Sequence, residues 1–424
     1  MAQKNKTPAD LIITNASQLL TLEPRYAVSE DPDAASLGLI EDGAVAVSDG
    51  AILECAPAAD IEARYSAKAL IRVPGCVVSP GLVDCHTHLV FPATREAEFE
   101  MRNKGLSYKE ITLRGGGIHA SVRRMRDAQK PELYARSLPL LNSAMVHGTT
   151  TVEIKSGYGL TTDDEIKSLE VVAELGKDHP LDIVSTFLGA HEIPEEYRDD
   201  PEGYIRILID EMMPEVRRRG LAEFCDIFCE EHVYNVEQSR RILSAAAGMG
   251  FRIKMHADEL EPVGGAELAA ELKAVSADHL VAASDEGIRA MAEAGVVPVL
   301  LPGTTFSLGS HKYARARDMI DAGLPVALAT DFNPGTCFTE SLQIIIAVAC
   351  VYLKMTAAEC IVACTRNAAK AVDREGTVGS LAPGKKADIV VWNIPDYRHI
   401  GYHFGVNLVA TTLKDGKVVF SRRQ

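Results

Sequence analysis

Several residues able to ligate a metal or move a proton stand at, or just past, the ends of short β-branched runs: His86, Lys155, His191, Glu230, His256, His279 and Asp331. His86-Thr87-His88 is the densest of these signals. In an extended segment residues i and i+2 face the same side, so both imidazoles can reach one ion. Alone, such a pair is more often two surface histidines. Here it follows Pro80-Gly81-Leu-Val-Asp84-Cys, which reads as a buried strand entering a turn. His256 ends a later run, and Asp331 follows Ala327-Leu-Ala-Thr. Three imidazoles and one carboxylate on strand ends suit one divalent metal ion, either zinc or iron (Fe2+/Fe3+). Such an ion lowers the pKa of water towards ~7, which supplies hydroxide at neutral pH. Glu259 lies three residues past His256, close enough to shuttle a proton, and His279 can orient water or polarise a carbonyl. Taken singly, His279 would be a hydrogen-bonded core histidine. Lysines in this position are carbamylated and bridge two metals in some barrels. The Glu259 arrangement favours one metal, which leaves Lys155 as a structural or substrate-side charge.

These residues need a scaffold that delivers strand ends to one place. Eight candidate strands alternate with amphipathic helical patterns: 77–85, 149–155, 182–191, 223–230, 251–257, 276–280, 296–301 and 326–330. Eight strand–helix units in roughly the usual ~250 residues predict an α/β fold, a (β/α)8 TIM-like metal-dependent barrel with its active site at the carboxyl ends of the strands. Both chain ends are β-rich instead. Ala44–Leu53 reads as a hairpin around Asp49-Gly50, and Thr412–Phe420 repeats that logic around Asp415-Gly416. The economical arrangement is a small β-sandwich built from residues 1–78 and 381–424, with a catalytic barrel over 79–380. Gly115-Gly116-Gly117 offers a hinge or a tight substrate loop.

The chain has 424 residues, 44 basic and 59 acidic, for a net charge of −15. That excess argues against nucleic acid or an anionic membrane surface as partner and leaves a small molecule. The longest apolar run, Ile344–Leu353, is too short to span a bilayer, and no signal peptide is readable. It can pack at a homodimer interface as readily as in a core. Nine scattered cysteines fit no zinc ribbon and read as reduced thiols of a cytoplasmic protein.

The set formed by His-x-His, His256 with Glu259, His279 and Asp331 resembles the mononuclear branch of the amidohydrolase superfamily. The likeness sharpens at Phe91-Pro-Ala-Thr-Arg95-Glu, Lys155-Ser-Gly-Tyr158-Gly-Leu, Phe187-Leu-Gly-Ala-His191, Thr305-Phe-Ser-Leu-Gly309 and Thr330-Asp-Phe-Asn333-Pro-Gly335-Thr336-Cys. These stretches look like members that open an imidazolone ring in histidine degradation. The resemblance implies hydrolysis of 4-imidazolone-5-propanoate to N-formimino-L-glutamate. It also implies metal ligation by His86, His88, His256 and Asp331, with Glu259, His279 and Asp331 catalytic. A cyclic amide with a propanoate tail needs a carboxylate clamp, and the Arg95 guanidinium suits one. Tyr108, Tyr158 and His191 can add hydrogen bonds to the tail or ring, and Glu259 touches substrate as it moves its proton. The turn Asn333-Pro-Gly335-Thr336 can offer N–H groups, an amide and a hydroxyl to the product's new carboxylate.

Two other readings compete. A nucleobase deaminase of the same superfamily would use the same metal set and release ammonia, but a neutral base needs no carboxylate clamp. A non-enzymatic barrel would have lost His88, Glu259 or Asp331, and all three are present.

Overall fold

The computed structural model describes residues 6–23, 32–106, 110–111 and 114–422. Tyr108 lies outside the described residues. The first strands are β1 (Thr7–Leu20), β2 (Leu39–Ser48), β3 (Ala51–Pro57), β4 (Tyr65–Arg72) and β5 (Val77–Pro80). A parallel series follows: β6 (Leu82–Asp84), β7 (Thr149–Lys155), β8 (Asp182–Ala190), β9 (Phe224–Cys229), β10 (Arg252–Ala257), β11 (Ser276–His279), β12 (Val297–Leu300) and β13 (Ala327–Leu328). The chain closes with β14 (Ile389–Trp392), β15 (Val409–Lys414) and β16 (Lys417–Ser421).

The terminal strands form one sheet in the order β16-β15-β14-β5-β1-β2-β3, with β4 beside β1. Both expected hairpins are present. Asp49 and Gly50 take φ of 51° and 75°, and Asp415 and Gly416 take 48° and 72°. Positive φ at both central residues matches the right-handed twist of the flanking strands, and Asp-Gly tolerates it. Leu11, Ile13, Leu19, Val45, Val47, Val78, Ile389, Val391 and Leu413 pack as the core behind this sheet. Within it Lys414 Nζ donates to both oxygens of Asp388 at 3.0 Å, a buried ion pair.

The second sheet runs β13-β12-β11-β10-β9-β8-β7-β6, each strand beside its neighbour in sequence. Helices separate most of these strands, starting on side-chain caps where the chain must turn. Thr161 accepts from Asp164 N ahead of the helix Thr162–Asp178, and Asn235 with Gln238 forms a capping box ahead of Val236–Gly248. Past the end of β6, Thr87 bridges Phe332 in parallel, with His88 N donating to Phe332 O at 2.8 Å and Asp331 N to His86 O at 3.0 Å. Those bonds join the first strand to the eighth and close the barrel.

The run 77–85 is not one strand. Val77–Pro80 pairs with β1 and β14 in the terminal sheet, and Leu82–Asp84 begins the barrel. Gly81 makes the crossover, because a Cβ there would collide with the Thr150 side chain. The chain packs as two compact units. One holds Met1–Asp84, Ser143–Thr151 and Ser341–Gln424; the other holds Cys85–Asn142 and Val152–Glu340. In the first unit most of Ile344–Leu353 is buried, including Ile345, Ile346 and Leu353, while Val351 and Tyr352 are exposed. Among the described residues no helix is long and apolar enough to cross a membrane.

Candidate active site at the barrel strand ends

Every described candidate residue lies in the second unit. His86 and His88 sit on the continuation of β6, with Thr87 between them turned to donate from Oγ1 to Glu153 O at 2.6 Å. His256 comes from β10. Asp331 follows β13 with φ 51°, and His279 ends β11 with φ 74°. Left-handed backbone is uncommon outside glycine, with Asp and His among the side chains that tolerate it best, and here it aims both into the cluster. His88 Nε2 and His256 Nε2 are 3.4 Å apart, and Asp331 Oδ1 is 3.7 Å from His86 Nε2 and 3.6 Å from His88 Nε2. His86, His88, His256, His279 and Asp331 are each at most 4% exposed. His279 joins His86 and His256 in a set whose ligand atoms lie within 4.8 Å of one another, and His191 joins His88 and His256 in another.

Whether this cluster suits a cation can be judged from its own atoms. His86 Nδ1 donates to Asp278 Oδ2 at 2.6 Å, so the lone pair is on Nε2. That Nε2 is buried and has no hydrogen-bond partner, with the Asp331 carboxylate opposite. A lone pair and a carboxylate that converge in a buried site without a shared protein donor fit a divalent cation. Burial, helped by neighbouring cations, holds the His86, His88 and His279 imidazoles well below their usual range and therefore neutral, the form that ligates. At His256 burial pulls the same way, but Asp226, with Oδ2 3.1 Å from Nδ1, outweighs it and raises the group. Burial also lifts the Asp331 carboxyl to about 6, against a hydrogen bond from Thr304 Oγ1 at 2.5 Å.

Lys155 points into the barrel beneath the cluster, not toward a substrate. Its Nζ lies 2.8 Å from Glu153 Oε1, 2.8 Å from Asp226 Oδ2 and 3.8 Å from Asp278 Oδ2. Lys254 lies beside it, 3.6 Å from Glu153 Oε1. All five side chains are fully buried.

At the rim, Glu259 Oε2 is 3.5 Å from His279 Nε2. Burial, with Asp331 adding repulsion, pushes its carboxyl up to about 8, so Glu259 holds a proton at neutral pH. His191 stacks on His88 with ring centroids 4.9 Å apart and pairs through Nδ1 with Gly157 O at 3.0 Å. Tyr158 is buried beside both rings, 5.9 Å from His88 and 5.5 Å from His191. Glu165 holds this loop by accepting from the backbone N–H groups of Gly157, Gly159 and Leu160. Arg95 is buried and donates from Nη2 to Glu98 at 3.0 Å, while its Nε has no partner. Its guanidinium lies against Gly335, where a Cβ would come within 2.5 Å of Cζ. In the turn, Gly335 N and Thr336 N both donate to Asn333 Oδ1, and Asn333 Nδ2 donates to Asp331 O at 2.7 Å. The turn's donors are therefore engaged internally, and it links Asp331 to Arg95.

The amidohydrolase family profile matches residues 77–419. An imidazolonepropionase of Geobacillus kaustophilus is 51% identical over 96% of this chain and 97% of its own length. An imidazolonepropionase of Alkaliphilus oremlandii is 49% identical over 97% and 98%. The chain belongs to the amidohydrolase family. Solved amidohydrolase-fold structures agree on architecture. A zinc-bound adenosine deaminase from Xanthomonas campestris gives a TM-score of 0.74 at 22% identity, over 99% of this chain and 94% of its own. A triazine hydrolase from an Arthrobacter aurescens source gives 0.73 at 17%, over 98% and 96%. At such identities the likeness speaks to the fold alone.

Sequence reasoning missed the layer behind the candidate ligands: Glu153, Asp226, Lys254, Asp278 and Thr304. A usable signal was present. Glu153 and Lys155, and Lys254 and His256, are i, i+2 pairs of ionisable groups inside short strands, separated by the apolar Ile154 and Met255.

Proposed function

We propose that this amidohydrolase hydrolyses the ring amide of 4-imidazolone-5-propanoate to N-formimino-L-glutamate, the ring-opening step of histidine degradation, in the cytoplasm. The observation that carries this reading is the convergence of three imidazoles and Asp331, with Glu259 at the rim 3.5 Å from His279. The sequence kinship with imidazolonepropionases supports the substrate.

His86, His88, His256 and Asp331 would hold one divalent ion, zinc or iron. When bound, that ion supplies Lewis acidity and water of lowered pKa. Asp331 or His279 accepts or steers the proton of the attacking water, and His279 offers its ring to the oxygen where negative charge develops. Glu259 delivers its proton to the departing ring nitrogen, which leaves poorly as an anion. Arg95 clamps the propanoate, with Tyr158 and His191 bonding tail or ring and Tyr108 joining them. The turn of Asn333, Gly335 and Thr336 acts on the substrate carboxylate through the guanidinium it supports.

The test is incubation of purified, metal-loaded protein with 4-imidazolone-5-propanoate. Absorbance loss with stoichiometric N-formimino-L-glutamate is expected, without ammonia release from nucleobases. No ring opening by protein carrying one metal per chain refutes the reading.

A further inference from the structure

The interior of a (β/α)8 barrel is usually packed with branched apolar side chains. In this chain five fully buried charges occupy it directly below the ligand cluster: Glu153 and Lys155 on β7, Asp226 on β9, Lys254 on β10 and Asp278 on β11. Burying ions is costly, and apolar replacements of like volume are often neutral or stabilising. Stability alone gives no reason for them.

Their contacts do. Asp278 Oδ2 accepts a hydrogen bond from His86 Nδ1 at 2.6 Å, and Ser276 Oγ donates to its other oxygen at 2.6 Å. Asp226 Oδ2 lies 3.1 Å from His256 Nδ1. Lys254 Nζ donates at 2.9 Å to Cys85 O, next to His86. Glu153 Oε2 accepts from Thr87 N at 3.3 Å, between the two histidines of the His-x-His pair. The network bonds the His86 ring, holds a carboxylate at ion-pair distance from the His256 ring and binds the backbone next to His88. Lys155 bridges it, touching both Asp226 and Glu153 at 2.8 Å.

We propose that Lys155 is a positioning residue for the metal ligands, holding Asp226 and Glu153 so that His86, His88 and His256 present their Nε2 atoms to one point. This rests on reading the cluster as a metal site. Removing such outer partners typically costs ~10–100-fold in metal affinity.

The test uses the full chain, zinc competition against a chelator, and the d–d absorption of the cobalt(II)-substituted protein. Lys155→Met keeps the volume and removes the charge. It should raise the zinc dissociation constant by ~10–100-fold and shift the cobalt bands. The five charges sum to −1; Lys155→Met makes that −2, and Lys155→Met/Glu153→Gln restores −1. The double variant should regain thermal stability while zinc stays weakly bound, because Asp226 still lacks its ammonium. Should Lys155→Met fail to fold, the double variant carries the same reading. Ser276→Ala, which deletes one hydroxyl, should weaken zinc by roughly three- to tenfold. Wild-type affinity and cobalt bands in Lys155→Met, or their recovery together with stability in the double variant, overturn the proposal. A wild-type chain that takes up no stoichiometric zinc or cobalt instead overturns the metal reading itself.

Discussion

Gly335→Ala tests the carboxylate clamp without replacing a charged group. A Cβ at Gly335 would sit 2.5 Å from Arg95 Cζ and Nη1 and 2.8 Å from Nη2. Ordinary contact begins at ~3.5 Å, so something must retreat by about 1 Å. The turn cannot, because Gly335 N donates to Asn333 Oδ1 at 2.8 Å and Gly335 O accepts from Arg102 at 3.1 Å. The guanidinium must therefore swing, stretching its 3.0 Å bond to Glu98. A misplacement of about 1 Å in a positioning group costs on the order of 10²-fold. We expect kcat/KM for 4-imidazolone-5-propanoate to fall by about 10²-fold, chiefly through KM, in a steady-state absorbance assay. Metal stoichiometry should be unchanged, and overpacking should remove about 1–3 kcal/mol of stability. A ring amide lacking the propanoate tail should react equally with both proteins. If kcat/KM for the natural tail stays within about threefold of wild type, the carboxylate does not rest on Arg95.

Glu259→Gln removes the proton donor and should lower kcat by about 10²–10⁴-fold with metal content intact; near-normal kcat would rule out the shuttle. The Asp331 carboxyl stands at about 6 in the metal-free protein and must lose its proton to ligate. Below that pH a proton competes for the oxygen, so zinc affinity measured by chelator competition should fall about tenfold per pH unit from this group alone. An affinity flat from about pH 6 to 5 would contradict the assignment. In the terminal sheet, Lys414→Met takes the ammonium from the buried Asp388 carboxylate and should cost about 3–5 kcal/mol in denaturant unfolding. The folded fraction should keep wild-type kcat/KM; a loss of activity there would show that this pair reaches the site.

Much of the fold was legible because its signals are local. An Asp-Gly between two alternating apolar runs specifies a hairpin whatever lies around it, and both such turns form. Parallel barrel strands are covered on both faces, so their apolar runs stand out from the helical stretches between them. The split of 77–85 was not legible, since Val77-Val-Ser-Pro and Leu82-Val-Asp are equally buried. Only the pairing of Val77–Pro80 with β1 and β14 separates them, and those strands lie far off in sequence.

The site divides along a similar line. A strand sends successive side chains to opposite faces, so Glu153 and Lys155, Lys254 and His256, and Ser276 and Asp278 all enter the barrel in step. By that parity His279 should face outward, because Asp278 faces in. It reaches the cluster because the strand stops there: His279 and Leu280 take φ of 74° and 58°, which turns consecutive side chains toward the same space. Asp331 does the same at φ 51° and Asp258, just before Glu259, at 49°. The candidate site residues and their supports thus obey two geometries. Supports follow the strand period and are recoverable from spacing once charged residues inside buried strands are taken seriously. His279, Asp331 and Glu259 depend on left-handed backbone at or beside them, which residue type does not announce, since Gly is the usual occupant and none is present. Their strain is held by bonds such as Asp331 N to His86 O at 3.0 Å and Asp258 Oδ2 from Ala266 N at 2.9 Å. The first of those bonds exists only when the barrel has closed, so Asp331 is set in place by the same step that unites the first strand with the eighth, while the Asp258 bond is local to the loop after β10.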